Sequence, residues 1–167
     1  GPIVAGRPRQ GLGEAPATSE VVGMHLRRAV ADPDVRAIVL RVDSPGGSYI
    51  ASDAIRREVI QARRSGKPVI ASMGSVAASG GYFVSMDADE IVASATTMTG
   101  SIGVLAGKMV IDGLTRRIGL VREDIASGPW ATMMSAASAF TPEQWDALNQ
   151  RLDEIYDDFT AKAATDR

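Results

Sequence analysis

Two apolar segments that each end in a glycine-rich turn constrain the fold more than any other feature of this sequence. The first covers residues 35–42 and is followed by Asp-Ser-Pro-Gly-Gly-Ser at residues 43–48. The second covers residues 68–73, breaks at Gly74 and leads through small residues to Ser79. Apolar, β-branched runs that stop at glycine are typical of buried strands that end in tight turns. The sequence therefore predicts two core strands, with a turn at Gly74 after the second.

The segment between these strands has the period of an amphipathic helix. We expect it to begin at Ser48 or Ser52 and to end at Ser65, with Gly66 as the residue that terminates it. Its predicted buried stripe is Ile50, Ala54, Ile55, Val59 and Ala62, and its predicted solvated face is Arg56, Arg57, Arg63 and Arg64. A strand, a helix and a second strand predict parallel strands joined by a right-handed crossover, whose carboxyl ends meet at one edge of the sheet. Both glycine turns should lie at that edge.

Ser79 is well placed to act as a nucleophile there. It stands between the second strand and a helix that begins with two glycines. Free N–H groups and the positive end of a helix dipole would stabilise an oxyanion formed at this position. The alternative is that residues 77–81 are small only to permit tight packing, with Ser79 as a helix cap. The first glycine turn favours the catalytic interpretation because it can bring its own backbone N–H donors beside the serine.

Three segments together resemble a known family of serine peptidases. They are residues 40–48 (Leu-Arg-Val-Asp-Ser-Pro-Gly-Gly-Ser), residues 77–82 (Ala-Ala-Ser-Gly-Gly-Tyr) and residues 98–104 (Met-Thr-Gly-Ser-Ile-Gly-Val). In this order they are similar to the signal peptide peptidase A, or protease IV, family. The resemblance implies an α/β fold of the Clp protease/crotonase type, with a parallel sheet, crossover helices and a long C-terminal helix. It also implies peptide hydrolysis by a serine–lysine dyad.

The resemblance implies roles for four residues. Ser79 corresponds to the nucleophile, and the N–H groups of Gly47 and Gly80 correspond to the oxyanion hole. Ser101 corresponds to the residue that hydrogen-bonds and orients the lysine base, although it could equally be an ordinary turn serine.

The lysine base is missing from the place that the resemblance implies. Single-domain members carry it a few residues after a Ser-Gly pair, whereas here Ser127-Gly128 leads to Ala131. Two-domain members carry the serine in the C-terminal half and the lysine in the N-terminal half. The chain therefore resembles the C-terminal catalytic half of a two-domain member, which would take its base from a missing N-terminal half and be inactive alone.

Other candidate bases are weaker. His25, the only histidine, lies on a helix predicted over residues 18–31, before the serine rather than after it as in Clp protease. Lys67 enters the second strand, so at about 3.3 Å per residue it lies near the opposite end of the sheet from the serine. Lys162 is near the end of the sequence and is expected to be solvated. Lys108 has the most plausible approach.

The remaining segments predict short elements and one capped helix. Thr141 to Gln144 (Thr-Pro-Glu-Gln) has the pattern of a helix N-terminus, with a capping threonine and a capping-box glutamine. Its apolar stripe is Trp145, Leu148, Leu152, Ile155, Tyr156 and Phe159, which we expect to form core or subunit contacts. The other expectations are strands at residues 2–5, 90–93 and 119–123, a helix at 107–118, and loops at 6–17, 97–105 and 125–140.

Composition limits the function classes. With 167 residues, of which 45% are hydrophobic, we expect residues 1–167 to form a single peptidase-type domain. A net charge of −2 with interspersed signs predicts no nucleic-acid partner. The absence of cysteine excludes disulfides, thiolate metal sites and a cysteine nucleophile. Gly11-Leu12-Gly13 does not fit a phosphate-binding fingerprint, so no cofactor is predicted.

The expected setting follows from the resemblance. Residues 1–6 do not read as a signal peptide and start directly on a predicted strand, so we expect a soluble fragment of a longer protein. Members of the family are commonly tethered by an N-terminal membrane helix at the extracytoplasmic face of the bacterial membrane. The implied partners are peptide substrates such as cleaved signal peptides, the homologous half with the lysine, and a ring of further copies.

Two other function classes compete with the peptidase. The chain could be a non-catalytic assembly domain that keeps the fold and contributes surface to a ring. It could also be a crotonase-like enzyme in which paired backbone N–H groups polarise an acyl-CoA thioester, but that chemistry needs no serine between them.

Overall fold

The computed structural model of the protein describes residues 1–6, 15–128 and 130–167. They form two compact units: unit 1 consists of Gly1–Gly103 and Asp158–Arg167, and unit 2 of Val104–Asp157. The prediction that residues 1–167 form one domain stays a prediction. The rejected phosphate-binding segment, Gly11-Leu12-Gly13, lies outside the described residues, as does most of the predicted loop 6–17.

Unit 1 is built on a parallel sheet with its longest strand in the middle. Strand β4 (Val69–Ala78) pairs on one side with β3 (Ile38–Ser44) and on the other with β5 (Glu90–Val92) and β6 (Met98–Gly100). Strands β1 (Ile3–Val4) and β2 (Ala17–Thr18) form a second parallel pair, and Ile3 also bridges to Gly47. The parallel order confirms the predicted α/β class.

Three helices accompany this sheet, and the sequence predicted where the two longer ones start. Helix α1 (Ser19–Ala31) is capped by Thr18, whose hydroxyl accepts a hydrogen bond from Val21 N at 3.4 Å. Helix α2 (Tyr49–Arg64) is capped in the same way by Ser48, which bonds Ala51 N at 3.3 Å. Helix α3 (Gly80–Ser85) is short and follows β4 after a single residue, Ser79.

The core of unit 1 lies between the sheet and helices α1 and α2. Its fully buried side chains include Ala51, Ile55, Val59 and Ala62 of α2, together with Leu26, Val42, Val69 and Ala71. The predicted stripe of α2 was therefore partly wrong, because Ile50 is 72% exposed and Ala54 is also exposed. Residues one step before 51 and 55 lie about 100° around the helix, so they point away from the buried face.

The predicted solvated face of α2 was wrong at Arg56. This side chain is buried, and its guanidinium pairs with Asp166 at 2.6 Å and with Asp87 at 3.3 Å. Arg63 pairs with Asp87 and, at 2.8 Å, with Asp89. A charged group is buried at acceptable cost only when it is paired, and two carboxylates provide that pairing for Arg56.

The predicted turn at Gly74 was also wrong. Strand β4 continues through Gly74 to Ala78, and the pairing with β3 shifts there, so that Val42 faces Met73 whereas Ser44 faces Ala77. A Cβ at Gly74 would lie 2.6 Å from the Asp43 carboxyl carbon. The glycine thus makes room for Asp43, whose carboxylate accepts a hydrogen bond from Val76 N at 3.1 Å.

Unit 2 has less regular structure than predicted. Its short helix α4 covers Asp112–Arg117 instead of residues 107–118, and Gly119, at φ +77°, follows it. Residues 119–123 are not a strand, and the described part of unit 2 offers no strand for them to pair with. The predicted irregular segment 125–140 is confirmed for its described residues.

The long helix α5 (Pro142–Asp166) starts in unit 2 and ends in unit 1. Its predicted capping box is confirmed, since Thr141 and Gln144 each accept a hydrogen bond from the other's backbone N–H at 3.2 Å. Phe159 is buried with Phe83 and Met86, whereas Trp145 and Tyr156 are about half exposed. None of the helices in the described ranges is long and apolar enough to cross a membrane.

Candidate active site

Ser79 occupies a strained position between β4 and α3. Its backbone has φ +50° and ψ −116°, and only Ser101 shares a positive φ among the described non-glycine residues. Its N–H donates to Gly100 O at 2.8 Å, and its carbonyl accepts from Phe83 N at 2.9 Å. The side chain is partly exposed and does not cap α3. Backbone strain of this kind costs about 1–3 kcal/mol and is concentrated at functional sites.

The second glycine turn lies after β4, at residues 79–81, and not at Gly74. It is in contact with the first glycine turn at the carboxyl edge of the sheet, as the parallel order predicted. A Cβ added to Gly46 would lie 2.6 Å from Gly80 N and 2.9 Å from Ser79 Cβ. A Cβ added to Gly80 would lie 3.2 Å from Gly47 N. Gly46 has φ +100°, a conformation that favours glycine. Both space and conformation therefore require glycine in the first turn.

Two backbone N–H groups beside Ser79 have no acceptor among the residues that the structure describes. The bridge between β1 and the first turn uses Gly46 O and Ser48 N, and leaves the Gly47 N–H unused. The Gly80 N–H likewise meets no acceptor within residues 1–6, 15–128 and 130–167. Unpaired N–H groups next to a candidate nucleophile are the geometry that stabilises an oxyanion.

Ser101 directly follows β6, the strand that pairs with the end of β4. Ala78 pairs with Gly100, and Ser79 N donates to Gly100 O, so Ser101 is the next residue after the one that Ser79 contacts. Ser101 is exposed and has φ +51°. The sequence predicted a loop at residues 97–105 and so missed β6, in which the Thr99 hydroxyl donates to Ala77 O at 2.8 Å.

The sequence analysis considered Ser52 only as a possible start of α2, but Ser52 lies buried inside that helix. Its hydroxyl donates to Ser48 O at 3.0 Å, and it would lie 2.5 Å from a Cβ at Gly80. It therefore fills the space beneath both turns and limits the second turn to glycine. Its spacing of four residues from the capping serine was the signal that could have identified it.

The candidate bases within the chain are all occupied or remote in sequence from the site. Lys67 donates to Ala29 O at 2.7 Å at the end of α1, and His25 is an exposed residue of α1. In unit 2, Lys108 donates to Met133 O at 2.7 Å and lies 4.3 Å from the centre of the Phe140 ring. Ala131, which stands where the resemblance implies a lysine, is exposed.

Lys162 was predicted to be solvated, and that prediction was wrong. Its side chain is only 26% exposed, and its ammonium pairs with Asp158 at 2.7 Å and with Asp53 at 3.0 Å. Asp158 lies four residues before Lys162 on α5, a spacing at which helical side chains meet, so the sequence could have shown this partner. Asp53 lies 109 residues earlier and meets Lys162 only in the folded chain.

A comparison with protein families agrees with this geometry. The model of peptidase family S49 matches residues 61–167, which include Ser79 and Ser101. The chain belongs to peptidase family S49. The match confirms the resemblance on which the predicted roles rest, and the Clp protease/crotonase type of fold that it implied.

Named relatives of this S49 chain are proteases. Protease 4 of Salmonella typhi is 40% identical over 89% of the chain and 24% of its own length. The chloroplastic serine protease SPPA of Arabidopsis thaliana is 41% identical over 79% of the chain and 20% of its length. A putative signal peptide peptidase SppA of Enterococcus faecium is 31% identical over 85% of the chain and 41% of its own length. The S49 chain thus spans between a fifth and two fifths of these relatives.

Proposed function

We propose that this S49 chain is the catalytic half of a serine peptidase that cleaves peptides by acyl transfer. The Ser79 hydroxyl attacks the scissile carbonyl, and the N–H groups of Gly47 and Gly80 stabilise the resulting oxyanion. The observation that carries this proposal is the contact between the two glycine turns, with two unused N–H groups beside a strained serine. The relatives, which are named as proteases, support the same reaction.

The general base in this proposal is a lysine from a homologous N-terminal half. A serine hydroxyl needs a base to become an effective nucleophile. The ammonium groups of Lys67, Lys108 and Lys162 each donate to acceptors in their own surroundings. Ser101, the residue after the Gly100 that Ser79 N contacts, would hydrogen-bond the incoming amine and orient it.

Unit 2 supplies the surface for the homologous half in this proposal. Its large apolar side chains are exposed, the most open of them being Leu105, Met109, Val121 and Ile125, at 77–99% exposure. Exposed apolar surface on this scale marks an interaction site. Because the Salmonella relative is about four times as long as the matched region, we propose that a further part of the same protein covers this apolar surface. A ring of copies is our proposal for the complete assembly.

The proposed substrates are peptides such as cleaved signal peptides, and the proposed location of the full-length protein is the extracytoplasmic face of the bacterial membrane. The substrate class is supported by the likeness to a putative signal peptide peptidase of Enterococcus faecium. The location is what the resemblance to the signal peptide peptidase A family implies.

Covalent labelling of the full-length protein tests the proposal. A fluorophosphonate probe should label the wild type at Ser79, as read by peptide mass mapping. Ser79→Ala should abolish labelling and lower peptide turnover by about 10⁴-fold or more, the loss typical of removing a serine nucleophile. Ser75→Ala is the matched control, because Ser75 is an exposed serine of the same strand and has no role in the mechanism.

Three results would decide between the function classes. Near wild-type turnover in a folded Ser79→Ala variant would overturn the assignment of the nucleophile. A wild type that neither labels nor cleaves peptides would favour the non-catalytic assembly domain. Acyl-CoA turnover that survives Ser79→Ala would favour crotonase-like chemistry.

A further inference from the structure

A polar cluster outside the candidate active site is centred on Lys162. Its ammonium donates to Asp158 Oδ2 at 2.7 Å, to Asp53 Oδ1 at 3.0 Å and to the Tyr49 hydroxyl at 3.4 Å. The Tyr49 hydroxyl in turn donates to Asp158. The cluster joins the first turns of α2 to the last turns of α5, and both segments belong to unit 1.

The same ammonium lies over two aromatic rings. It is 5.7 Å from the centre of the Tyr49 ring and 5.4 Å from that of the fully buried Phe83. Phe83 packs edge-on against Tyr49 at 5.4 Å and against Phe159 at 4.8 Å. A cation within about 6 Å of a ring centre is attracted to the face of the ring. Lys162 therefore holds one aromatic residue from each of α2 and α3.

Each of these aromatic residues is fixed to one of the two glycine turns. Tyr49 is the first residue of α2 and follows Gly47 after one residue. Phe83 donates its backbone N–H to Ser79 O at 2.9 Å and so closes the first turn of α3. A shift of either ring would move the turn to which it is attached.

We infer that Lys162 is a positioning residue that sets the distance between the Gly47 turn and Ser79 through Tyr49 and Phe83. The inference rests on the peptidase reaction proposed above and adds a residue to it. Lys162 does not contact the reacting atoms, because its ammonium interacts with Asp53, Asp158 and the two rings. Effective catalysis depends on such positioning, since a misplacement of 1 Å can cost about 100-fold in rate.

The test compares lysine variants of the full-length protein. Lys162→Met keeps the length of the side chain but removes the charge, and Lys162→Arg keeps the charge. Lys67→Met is the matched control, because Lys67 likewise links two elements, here by donating to a backbone carbonyl of α1. Lys67 lies before β4, ten residues of strand away from Ser79. The readouts are kcat and KM on a fluorogenic peptide, hydrogen exchange at residues 46–49 and 79–83, and the melting temperature.

We expect Lys162→Met to lower kcat by about 10- to 100-fold with little change in KM, because positioning acts on the transition state. Exchange should become faster at both turns, and Lys162→Arg should restore most of kcat. Lys67→Met should leave kcat and exchange at the turns unchanged, even if it lowers the melting temperature.

Wild-type kcat and unchanged exchange in Lys162→Met would overturn the inference. So would an equal loss of kcat in Lys162→Met and Lys67→Met that follows their melting temperatures, because that result would show a general effect on stability. Ser79→Ala is measured in parallel. If it keeps near wild-type turnover, the proposed function fails, and the exchange data still decide whether Lys162 couples the two turns.

Discussion

The two units of this chain differ in how they bury apolar side chains. Within the described ranges, every buried hydrophobic residue belongs to unit 1, from Ile3 in β1 to Phe159 in α5. The large apolar side chains of unit 2 are mostly exposed, including Leu105, Met109, Leu114, Ile118, Val121, Ile125 and Met134. Folding must offset the loss of chain entropy by burial. Unit 1 can do so with its own core, whereas no described hydrophobic residue of unit 2 is buried.

Polar contacts provide much of the order in unit 2. Ile111 N donates to Ala136 O at 2.9 Å, and Ser135 donates to Asp124 at 2.5 Å. Such bonds are worth about 1 kcal/mol each in net terms, because water competes for the same groups. The difference in apolar burial between the two units coincides with the distribution of the proposed catalytic groups. The proposed nucleophile and oxyanion donors lie in the unit with a core, and the segment in which the lysine is missing lies in the unit without one.

The largest expected effect concerns activity. The 167-residue chain alone should fold unit 1 but cleave peptides about 10²–10⁴-fold more slowly than the full-length protein, because that is the usual contribution of a general base. Adding the N-terminal half in trans should recover turnover. The assay is peptide hydrolysis at equal molar concentrations of the isolated chain and the full-length protein. Full activity of the isolated chain, surviving substitution of Lys108 and His25, would show that the base has been assigned to the wrong part of the protein.

Features with a local cause could be predicted from the sequence. The caps of α1, α2 and α5 were predicted because each depends on residues within four positions of one another. The contact of the two glycine turns was predicted because a parallel crossover places both strand ends at one edge.

Features that depend on distant residues could not be predicted. Gly74 was predicted to be a turn residue because glycine commonly ends a strand. Its actual role, leaving room for the Asp43 side chain, becomes apparent only when the two strands are paired. Arg56 meets Asp166, 110 residues later, and Lys162 meets Asp53, 109 residues earlier. Residues 119–123 have the composition of a strand, but a strand forms only where a partner is present.

Truncation of matched apolar side chains should give the next largest effect. Ile55→Ala, at a position only 2% exposed, should lower the free energy of unfolding of the chain by about 2–5 kcal/mol. Leu114→Ala, at a position 60% exposed, should change it by less than about 0.5 kcal/mol. Chemical denaturation measures both. A loss above that limit for Leu114→Ala in the full-length protein only would show that Leu114 is buried there by another part of the protein. The same loss in the isolated chain would show that unit 2 buries Leu114 itself and would contradict the difference between the units.

Matched glycine substitutions test the difference at the level of the backbone. Gly46→Ala places a Cβ 2.6 Å from Gly80 N at a positive φ, so we expect a loss of about 1–3 kcal/mol in stability and loss of activity. Gly113→Ala, in α4, places its Cβ in open space and should stabilise the chain by up to about 1 kcal/mol. Thermal melting separates the two signs. Equal tolerance at both positions would contradict the close contact of the turns.

The smallest expected effect is a pH dependence carried by one carboxylate from each unit. In unit 1, the pKa of Asp89 is lowered, first by the hydrogen bond from Val69 N at 2.8 Å and then by Arg63, against an opposing effect of burial. In unit 2, the pKa of Glu143 is lowered by its own backbone N–H and by Thr141. Glu143 is fully exposed and acts only within the first turn of α5, whereas Asp89 ties the start of β4 to α2.

Because the pKa of Asp89 is lower in the folded chain than in the unfolded chain, its carboxylate stabilises the fold above pH about 4. This contribution is lost as the pH falls through the lowered pKa. Asp89→Asn should therefore destabilise the chain at pH 7, by less than about 1 kcal/mol since the pair is partly exposed, and the difference from wild type should vanish in acid. Urea denaturation between pH 7 and pH 3 measures it, with Glu143→Gln as the matched control that should show a smaller difference. The prediction would be contradicted if the loss of unfolding free energy in Asp89→Asn stayed constant down to pH 3, or if Glu143→Gln showed a larger loss. Either result would mean that the Asp89 carboxylate stabilises the fold no more than the Glu143 carboxylate does.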